Sequence, residues 1–343
     1  MATPPLISII MPVHNGEIDI EESILSIVQQ SYKNWELIIV DDYSTDNTVK
    51  IVQSIKRQDP RVKLFQHNTN KGVSAARNTA LEQCKGSHIA LLDADDISTP
   101  QRLESQIDYM GAHKLDLCGS AMTTFGVKEK HVSFPVNNED IKYNLLFFKK
   151  SFSNSSVMMK ASFIGNIRYN TSLDFAEDYA FWVALTTTQP CKIGNIDIPL
   201  TKYRTHKKQA SKKLKHKNRI SLCTTIKSVK QLNHLNISQI ETHYDVWKKK
   251  KKLTIKELND YVKIFNDIHK THRFKEKEPK IYNQSLYELC KKQSHTGRNS
   301  CRIFFTHTPE RFSIKNITLP CICALAVFKQ RLELFFFERP GKT

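Results

Sequence analysis

Short apolar runs alternate with segments of helical periodicity through residues 1–100. The runs are rich in Val, Ile and Leu, as strands buried on both faces are; they are Leu6–Val13, Trp35–Val40, Val62–Phe65 and His88–Leu92. Between them, apolar residues recur every three or four positions, which predicts helices over Glu21–Tyr32, Asp46–Lys56 and Ser74–Lys85, and a fourth that begins at Thr99-Pro100. Gly86 follows the third helix, where we expect left-handed backbone. The alternation predicts an α/β fold with a parallel sheet covered on both faces.

The pattern loosens from residue 115 onward. We expect further strands and helices there: strands at Leu115–Thr124 and Ser155–Met159, helices at Glu139–Phe148 and Glu177–Leu185, and paired strands within Lys192–Tyr203. After His206 the sequence becomes Lys-rich with helical periodicity. We therefore predict an α/β domain at 1–206 and a basic, mainly helical region at 207–343.

Charge divides the 343-residue chain at nearly the same place. Residues 1–200 hold 19 Lys and Arg against 23 Asp and Glu, a net charge of −4. Residues 201–343 hold 33 against 11, a net charge of +22, with dense basic runs at Lys207–Lys217 and Lys248–Lys252. Such an asymmetry indicates two different functions for the two regions.

The sequence favours a cytoplasmic protein. No charged, apolar leader precedes the first predicted strand, and the eight cysteines form no Cys-x-x-Cys pair, so we expect reduced thiols. The longest uncharged apolar stretch, Leu319–Phe328, is about half of the roughly 20 residues that a spanning helix needs.

Polar side chains follow the predicted strands of the first domain. They are Pro12-Val13-His14-Asn15, Asp41-Asp42, Arg77 with its flanking residues, and Asp93-Ala94-Asp95-Asp96. Because ligands of open α/β sheets bind beyond the carboxyl ends of the strands, we expect these groups to meet in one site. Carboxylates suit Mg²⁺ or Mn²⁺, which take their remaining ligands from phosphates and water, so the pattern indicates a nucleoside diphosphate. Alone, Asp93–Asp96 could equally cap the helix that follows.

The order of these motifs resembles glycosyltransferase family 2. The segments that carry the resemblance are Pro12–Asn15, Ser26–Ser31, Trp35–Asp46, Asn70–Asn78 and Leu91–Asp96. The resemblance covers roughly residues 6–206 and implies a catalytic domain of the GT-A (Rossmann-like) fold that transfers a sugar with inversion. The fingerprints of P-loop ATPases and of dinucleotide-binding proteins are absent from the sequence.

The resemblance also implies a donor and metal site. Asp41 would contact the nucleobase, with Asp42 next to it and Pro12, Val13, His14 and Asn15 packed alongside. Arg77 would lie near the phosphates, although an exposed helix position is the simpler interpretation. Asp93, Ala94 and Asp95 match the Asp-x-Asp motif that contacts the nucleotide sugar. The Mn²⁺ or Mg²⁺ cofactor would be held by Asp93, Asp95, Asp96 and His206, although a histidine beside lysines is usually just solvated.

For the acceptor half of the site, Glu177-Asp178 resembles the family's Glu-Asp motif. Asp178 would be the general base, and Glu177 would orient the acceptor. Alone, acidic residues at a helix start more often compensate the helix dipole. The chain lacks a glycine-rich loop between Asp96 and Glu177, and the segment Asn154–Ser156 occupies the region expected to bind the acceptor.

The resulting hypothesis is a transferase that moves a sugar from a UDP-linked donor to the hydroxyl of a glycan or lipid-linked acceptor in surface polysaccharide or glycolipid biosynthesis. A glycoside hydrolase would also use two carboxylates but needs no nucleotide site. The alternative is a non-catalytic protein with a basic tail that binds sugar nucleotides or nucleic acid. We expect no nucleic acid partner, because the basic region lacks the stacked aromatic pattern of single-strand binders.

The basic region favours peripheral contact with the anionic, cytoplasmic face of a membrane. The apolar runs Leu319–Phe328 and Leu332–Phe337 would insert beside the lysines. The alternative is a helical appendage with solvated lysines.

Sedimentation with liposomes tests the membrane interpretation. Binding should require acidic lipid and weaken as salt rises, because charges are screened beyond about 8 Å at physiological ionic strength. Charge reversal at Lys212, Lys213, Lys215 and Lys217 should abolish it. If the wild-type protein and the charge-reversed variant bound equally to neutral and acidic vesicles, the electrostatic anchor would be contradicted.

Overall fold

The computed structural model describes residues 3–147, 149–173, 176–206, 235–247, 251–271, 288–289 and 292–296. The chain forms two compact units, Met1–Lys230 and Gln231–Thr343. The runs Lys207–Lys217, Leu319–Phe328 and Leu332–Phe337, and residues 248–250 of the second basic run, lie outside the described residues. The boundary at 206 stays a prediction for the same reason. Within the described ranges, no helix combines the length and apolar character that a membrane crossing needs.

The first unit alternates strands and helices as the sequence predicts. Its elements are β1 (Ile7–Val13), α1 (Ile20–Val28), β2 (Trp35–Asp41), α2 (Thr48–Gln58), β3 (Val62–Gln66), α3 (Val73–Gln83), β4 (His88–Leu91), β5 (Ile97–Ser98), α4 (Arg102–His113), β6 (Leu117–Gly126), β7 (Lys130–Val132), α5 (Asn138–Leu146), a 3₁₀ turn (Asn154–Ser156), β8 (Met158–Lys160), α6 (Ala161–Ile164), α7 (Glu177–Thr188) and β9 (Ile193–Thr205). The described part of the second unit contains the helices Ile237–Trp247 and Ile255–Thr271 and a 3₁₀ turn at Ser294–Thr296.

The described strands form one sheet in the order β3-β2-β1-β4-β8-β6-β9-β5, with β7 paired to β6. Strands β1 to β4 are parallel, and β8 runs antiparallel to both β4 and β6. The predicted α/β class is therefore confirmed, with a mixed rather than purely parallel sheet. The in-register pairing of β1 with β2 and β4 brings the carboxyl ends of these strands to one edge.

Both faces of the parallel strands are covered. On one face, Ile9 and Met11 pack with Ile24 of α1 and Val52 of α2. On the other, Ile10 packs in a cluster that includes Ala76 and Ala80 of α3 and Phe181 of α7. Successive side chains of a strand point to opposite faces, so a strand between two helical layers must be apolar throughout. This explains the largely apolar runs of β1 and β2, in which the polar Ser8 and Glu36 hydrogen-bond to each other.

Three local predictions are wrong. Gly86 is not among the residues with positive φ; it is required because a Cβ there would lie 2.6 Å from the carbonyl oxygen of Leu6. The paired strands within 192–203 are one strand, β9, whose register against β6 shifts at Ser120–Met122. The strand expected at 155–159 begins with the 3₁₀ turn.

Candidate active site

The loops after β1 and β2 are joined by hydrogen bonds. The backbone N–H of Asn15 donates to Ser44 Oγ at 2.8 Å, and Asn15 Oδ1 accepts from the backbone N–H of Thr45 at 2.8 Å. His14 Nδ1 lies 2.9 Å from the carbonyl oxygen of Asp42. Asn15 and Tyr43 have left-handed backbone with φ of 52° and 66°, which is uncommon for residues other than glycine. This conformation is held by cross-loop contacts and fixes the rim beside Asp41.

Asp41 and Asp42 are both buried, but they differ in their contacts. Both oxygens of Asp42 are occupied within the protein: Oδ1 lies 2.7 Å from His67 Nδ1 and accepts from the Lys71 N–H, and Oδ2 accepts from the Gly72 N–H at 2.7 Å. Asp42 therefore anchors the loop before α3. Asp41 Oδ2 accepts from the Ser44 N–H at 3.1 Å, whereas its Oδ1 has no hydrogen-bond partner.

The segment Asp93–Asp96 follows β4 and places its three carboxyl groups in different surroundings. Asp93 is partly exposed and accepts from Arg77 and from Asn154 Nδ2. Asp95 is more open and lies beside His206, with 3.3 Å between Oδ2 and Nε2. Burial and the neighbouring charge of Asp93 raise the pKa of Asp95, against the opposing effect of His206.

Asp96, in contrast, is fully buried. Its Oδ2 accepts from Ser155 Oγ at 2.5 Å, and its Oδ1 accepts from the backbone N–H of Arg204 at 2.9 Å. Burial, and then the charges of Asp95 and Asp93, hold the pKa of Asp96 well above its usual value. This geometry gives no support to Asp96 as a metal ligand, because both of its oxygens are occupied.

The predicted metal residues do not converge on one point. No three His, Cys, Asp or Glu side chains in the described part of the chain form a group that could hold a metal ion by themselves. Asp95 and His206 are adjacent and partly exposed, at 37% and 41%. Mg²⁺ and Mn²⁺ often use one or two protein ligands and complete their shell with phosphates and water. The pair Asp95 and His206 therefore fits a cation shared with a diphosphate.

Arg204 contacts the Asp-x-Asp segment, a role that we did not predict for it from the sequence. Its Nε donates to the carbonyl oxygen of Asp95 at 2.9 Å, and its Nη2 pairs with Glu22 Oε2 of α1 at 2.5 Å. Its guanidinium lies 4.4 Å from the ring centroid of Phe125. Arg204 thus attaches the end of β9, and with it His206, to the Asp-x-Asp segment. In the sequence, only its position two residues before His206 indicates that Arg204 could lie near the Asp-x-Asp segment.

The two halves of the predicted site meet at Arg77. This residue, on α3, is buried, and its guanidinium donates to Asp93 Oδ1 at 2.9 Å and to Glu177 Oε1 at 2.6 Å. The sequence placed Arg77 near the phosphates, whereas in the structure two carboxylates occupy its guanidinium. The Asp-x-Asp and Glu-Asp motifs are therefore part of one cluster.

Asp178 lies in the first turn of α7, directly after Glu177. Burial, and then the charge of Glu177, raise the pKa of Asp178 to about 6, against the opposing charge of Arg77. Its Oδ1 accepts from the backbone N–H of Tyr179 at 2.6 Å. A carboxylate with a pKa close to neutral can take a proton at physiological pH and release it again, as a general base must.

The turn Asn154–Ser156 is hydrogen-bonded to the Asp-x-Asp segment. Ser155 and Ser156 are fully buried, and Ser155 Oγ accepts from the backbone N–H of Asp93 while donating to Asp96. The two serines therefore hold the Asp-x-Asp segment in place, while acceptor binding in this region stays a prediction.

Comparisons with known proteins show the family of this chain. The family described as "Glycosyl transferase family 2" matches residues 8–164. An uncharacterized glycosyltransferase of Haemophilus influenzae is 37% identical over 179 residues, which is 52% of this chain and 71% of the relative. The Escherichia coli UDP-Glc:alpha-D-GlcNAc-diphosphoundecaprenol beta-1,3-glucosyltransferase WfgD is 32% identical over 200 residues, which is 58% of this chain and 77% of the relative.

A solved structure shares the fold. Staphylococcus aureus TarS 1–349 in complex with UDP-GlcNAc aligns with a TM-score of 0.59 and 18% identity, covering 90% of this chain and 94% of the TarS chain. The predicted GT-A fold is confirmed by this likeness, and the identities with the bacterial relatives carry the family assignment. The chain belongs to glycosyltransferase family 2.

Proposed function

We propose that this protein is an inverting, metal-dependent glycosyltransferase that moves a hexose from a UDP-linked donor to a hydroxyl group of a lipid-linked glycan. The observation that carries the proposal is the meeting of Asp93 and Glu177 on one guanidinium, with Asp178 beside them. This cluster joins a donor-side motif to a carboxyl group whose pKa, raised by burial to about 6, suits a base.

The donor half of the proposal rests on Asp41. A buried carboxylate oxygen without a partner is costly, so Asp41 Oδ1 needs a hydrogen-bond donor. The imide N–H of a uracil ring would supply one, with the ring edge lying beside Asp41 at the rim that contains Asn15 and Tyr43. WfgD is named as a glucosyltransferase that uses UDP-Glc, and the TarS structure is a complex with UDP-GlcNAc.

The metal half rests on Asp95 and His206. These residues would hold Mn²⁺ or Mg²⁺, which when bound neutralises the negative charge of the departing diphosphate. In the protein, burial raises the pKa of Asp95 most, and a smaller part of the rise comes from an excess of negative charge supplied by Asp93. A cation at this position would relieve that excess.

The chemical step is a single displacement. Asp178 accepts the proton of the acceptor hydroxyl, the hydroxyl oxygen bonds to the anomeric carbon, and the bond from that carbon to the diphosphate oxygen breaks. The departing nucleoside diphosphate takes the bonding electron pair. Attack from the face opposite the leaving group inverts the anomeric centre. Glu177, held by Arg77, would orient the acceptor for this attack.

The acceptor class rests on relatives and on charge. The acceptor in the name of WfgD is a diphosphoundecaprenol-linked sugar, and another E. coli relative, 32% identical over 214 residues, is an O-antigen biosynthesis glycosyltransferase, WbnJ. Residues 201–343 carry a net charge of +22, which would attract the anionic surface where such lipids reside.

Nucleobase recognition is tested by Asp41→Asn, with Asp42→Asn as the matched variant. A thermal-shift panel of UDP, GDP, CDP and dTDP with Mn²⁺ should show the largest stabilisation with UDP. Asp41→Asn should weaken UDP binding about 10- to 100-fold, since a hydrogen bond to a charged group is worth about 1.5–3 kcal/mol.

Asp42→Asn should instead lower the melting temperature, because its oxygens hold the loop before α3. Unchanged UDP affinity in Asp41→Asn would contradict the assignment of the base pocket.

Metal dependence is tested by Asp95→Ala and by EDTA. Either change should remove the part of UDP binding that depends on Mn²⁺, as measured by calorimetry, because Asp95 is the open carboxylate beside His206. Asp96→Asn serves as the comparison and should keep the Mn²⁺ response, since Asp96 faces Ser155 and Arg204. Full turnover in excess EDTA would rule out the metal.

The base assignment is tested by Asp178→Asn, which keeps the side-chain size but cannot accept the proton. Turnover should fall about 10²- to 10⁴-fold while UDP affinity stays near wild type. Because Asp178 works only when ionised and its pKa is raised by burial to about 6, wild-type kcat should rise with pH through about 6 and then level off. Asp178→Asn should lose this rise.

The matched control for this test is Asp197→Asn, which removes a charge at an exposed position of β9. It should change neither the turnover nor the UDP affinity. If UDP affinity in Asp178→Asn falls as much as turnover does, Asp178 belongs to the donor site instead.

A further inference from the structure

Arg77 connects two parts of the chain that are far apart in sequence. Its Nη2 donates to Asp93 Oδ1 at 2.9 Å, and its Nη1 donates to Glu177 Oε1 at 2.6 Å. Asp93 follows β4, and Glu177 begins α7. The separation between the Asp-x-Asp segment and the Glu-Asp segment is therefore set by one buried guanidinium.

The next residue on α3 strengthens this connection. Asn78 Nδ2 donates to the carbonyl oxygen of Tyr169 at 2.9 Å, and Asn78 Oδ1 accepts from the Tyr169 N–H at 2.8 Å. The Tyr169 ring stacks on Phe181 of α7 with 4.0 Å between ring centroids, and its centroid lies 5.3 Å from the Arg77 guanidinium. Two consecutive residues of α3 thus hold α7 and the chain that precedes it.

The environment of Arg77 differs from that of a phosphate-binding residue. Its side chain is 5% exposed and is paired with two carboxylates, so a diphosphate would have to displace them to bind it. A planar guanidinium carries donors in a fixed fork and can hold two carboxylates in a defined geometry, which the single ammonium of lysine does not do. This arrangement suits a guanidinium that holds the carboxylates of Asp93 and Glu177 in place.

We propose that Arg77 is a positioning residue of the transfer reaction, which holds Asp93 and Glu177 at a fixed separation so that the donor side and the base side of the site form together. This inference rests on the proposed function. The charge of Arg77 also acts on Asp178: burial and Glu177 raise the pKa of Asp178, and Arg77 opposes them. With Arg77 in place, more of the base is ionised at neutral pH.

The test is the pH dependence of kcat for Arg77→Lys and Arg77→Gln, followed as UDP release from the UDP-sugar that gives the largest thermal shift. Arg77→Gln removes the charge and should move the rise in kcat upward by about 1–3 pH units, because an opposite charge nearby lowers the pKa of a carboxyl by that amount. Arg77→Lys keeps the charge but not the fork, so the rise should stay near pH 6 while kcat falls at least tenfold. UDP affinity with Mn²⁺ should stay near wild type in both.

Arg168→Gln is the matched control. Arg168 is exposed and donates to the carbonyl oxygens of Gly165 and Ile167, so losing its charge should change neither kcat nor the pH profile. An unmoved pH profile in Arg77→Gln overturns the proposal. So does a loss of UDP affinity as large as the loss of kcat, which would make Arg77 a diphosphate ligand.

The same data separate this inference from the function on which it rests. If the rise in kcat survives Asp178→Asn, the proposed base is wrong and the inference falls with it. If Asp178→Asn removes the rise but Arg77→Gln does not move it, the inference alone falls.

A second variant covers the case in which Arg77→Gln does not fold. Glu177→Gln removes the negative charge from one of the two contacts without changing side-chain size, and it should lower kcat with UDP affinity retained. Combined with Arg77→Lys, it should cause little further loss, because both changes weaken the same contact. Full turnover in Glu177→Gln overturns the proposal.

Discussion

Arg77 places a buried positive charge where Asp93, Glu177 and Asp178 would otherwise bring carboxyl groups together without compensation. Removing one partner from such a cluster leaves another charge buried and unpaired, which typically costs about 3–5 kcal/mol. The guanidinium contacts the segment after β4 and the first turn of α7, so this cost falls at the candidate site. The contact between the Asp-x-Asp and Glu-Asp segments and the pKa of Asp178 therefore both involve the same side chain.

The sheet makes this meeting possible. The in-register parallel pairing of β1 with β2 and β4 brings Val13, Asp41 and the segment after Leu91 to one edge, and α3 returns along one face of these strands. The opposite end of the sheet is closed by contacts of another kind: Glu36 accepts from Ser8 and from Lys63, and Gly86 packs against the backbone of Leu6. The buried carboxylate at this end, Glu36, is thus paired within the protein, while the other end keeps Asp41 Oδ1 without a partner and Asp95 open.

The parallel half of the fold could be predicted from the sequence because its signals are local. A strand covered on both faces needs a continuous apolar run, and the predicted Leu6–Val13 and observed Ile7–Val13 differ by one residue. β9 was mistaken for two strands, because a polar interruption at Asp197 resembles a turn, whereas the structure absorbs it as an irregularity in the pairing with β6. The different roles of the adjacent residues Asp95 and Asp96 could not be predicted from the sequence either. Asp95 and Asp96 have the same chemistry in sequence, and only contacts with Ser155 and Arg204, 59 and 108 positions away, separate them.

The central claim is that Arg77 makes Asp93 and Glu177 act as one unit, and a double-mutant cycle on kcat tests it most directly. Asp93→Asn, Glu177→Gln and their combination would be measured in the wild-type and in the Arg77→Lys background. The account predicts a coupling energy of about 0.5–3 kcal/mol in the wild-type background, as for residues of one hydrogen-bonded network, and almost none in the Arg77→Lys background. Additive effects in the wild-type background would show that the two carboxylates act independently and would contradict the account.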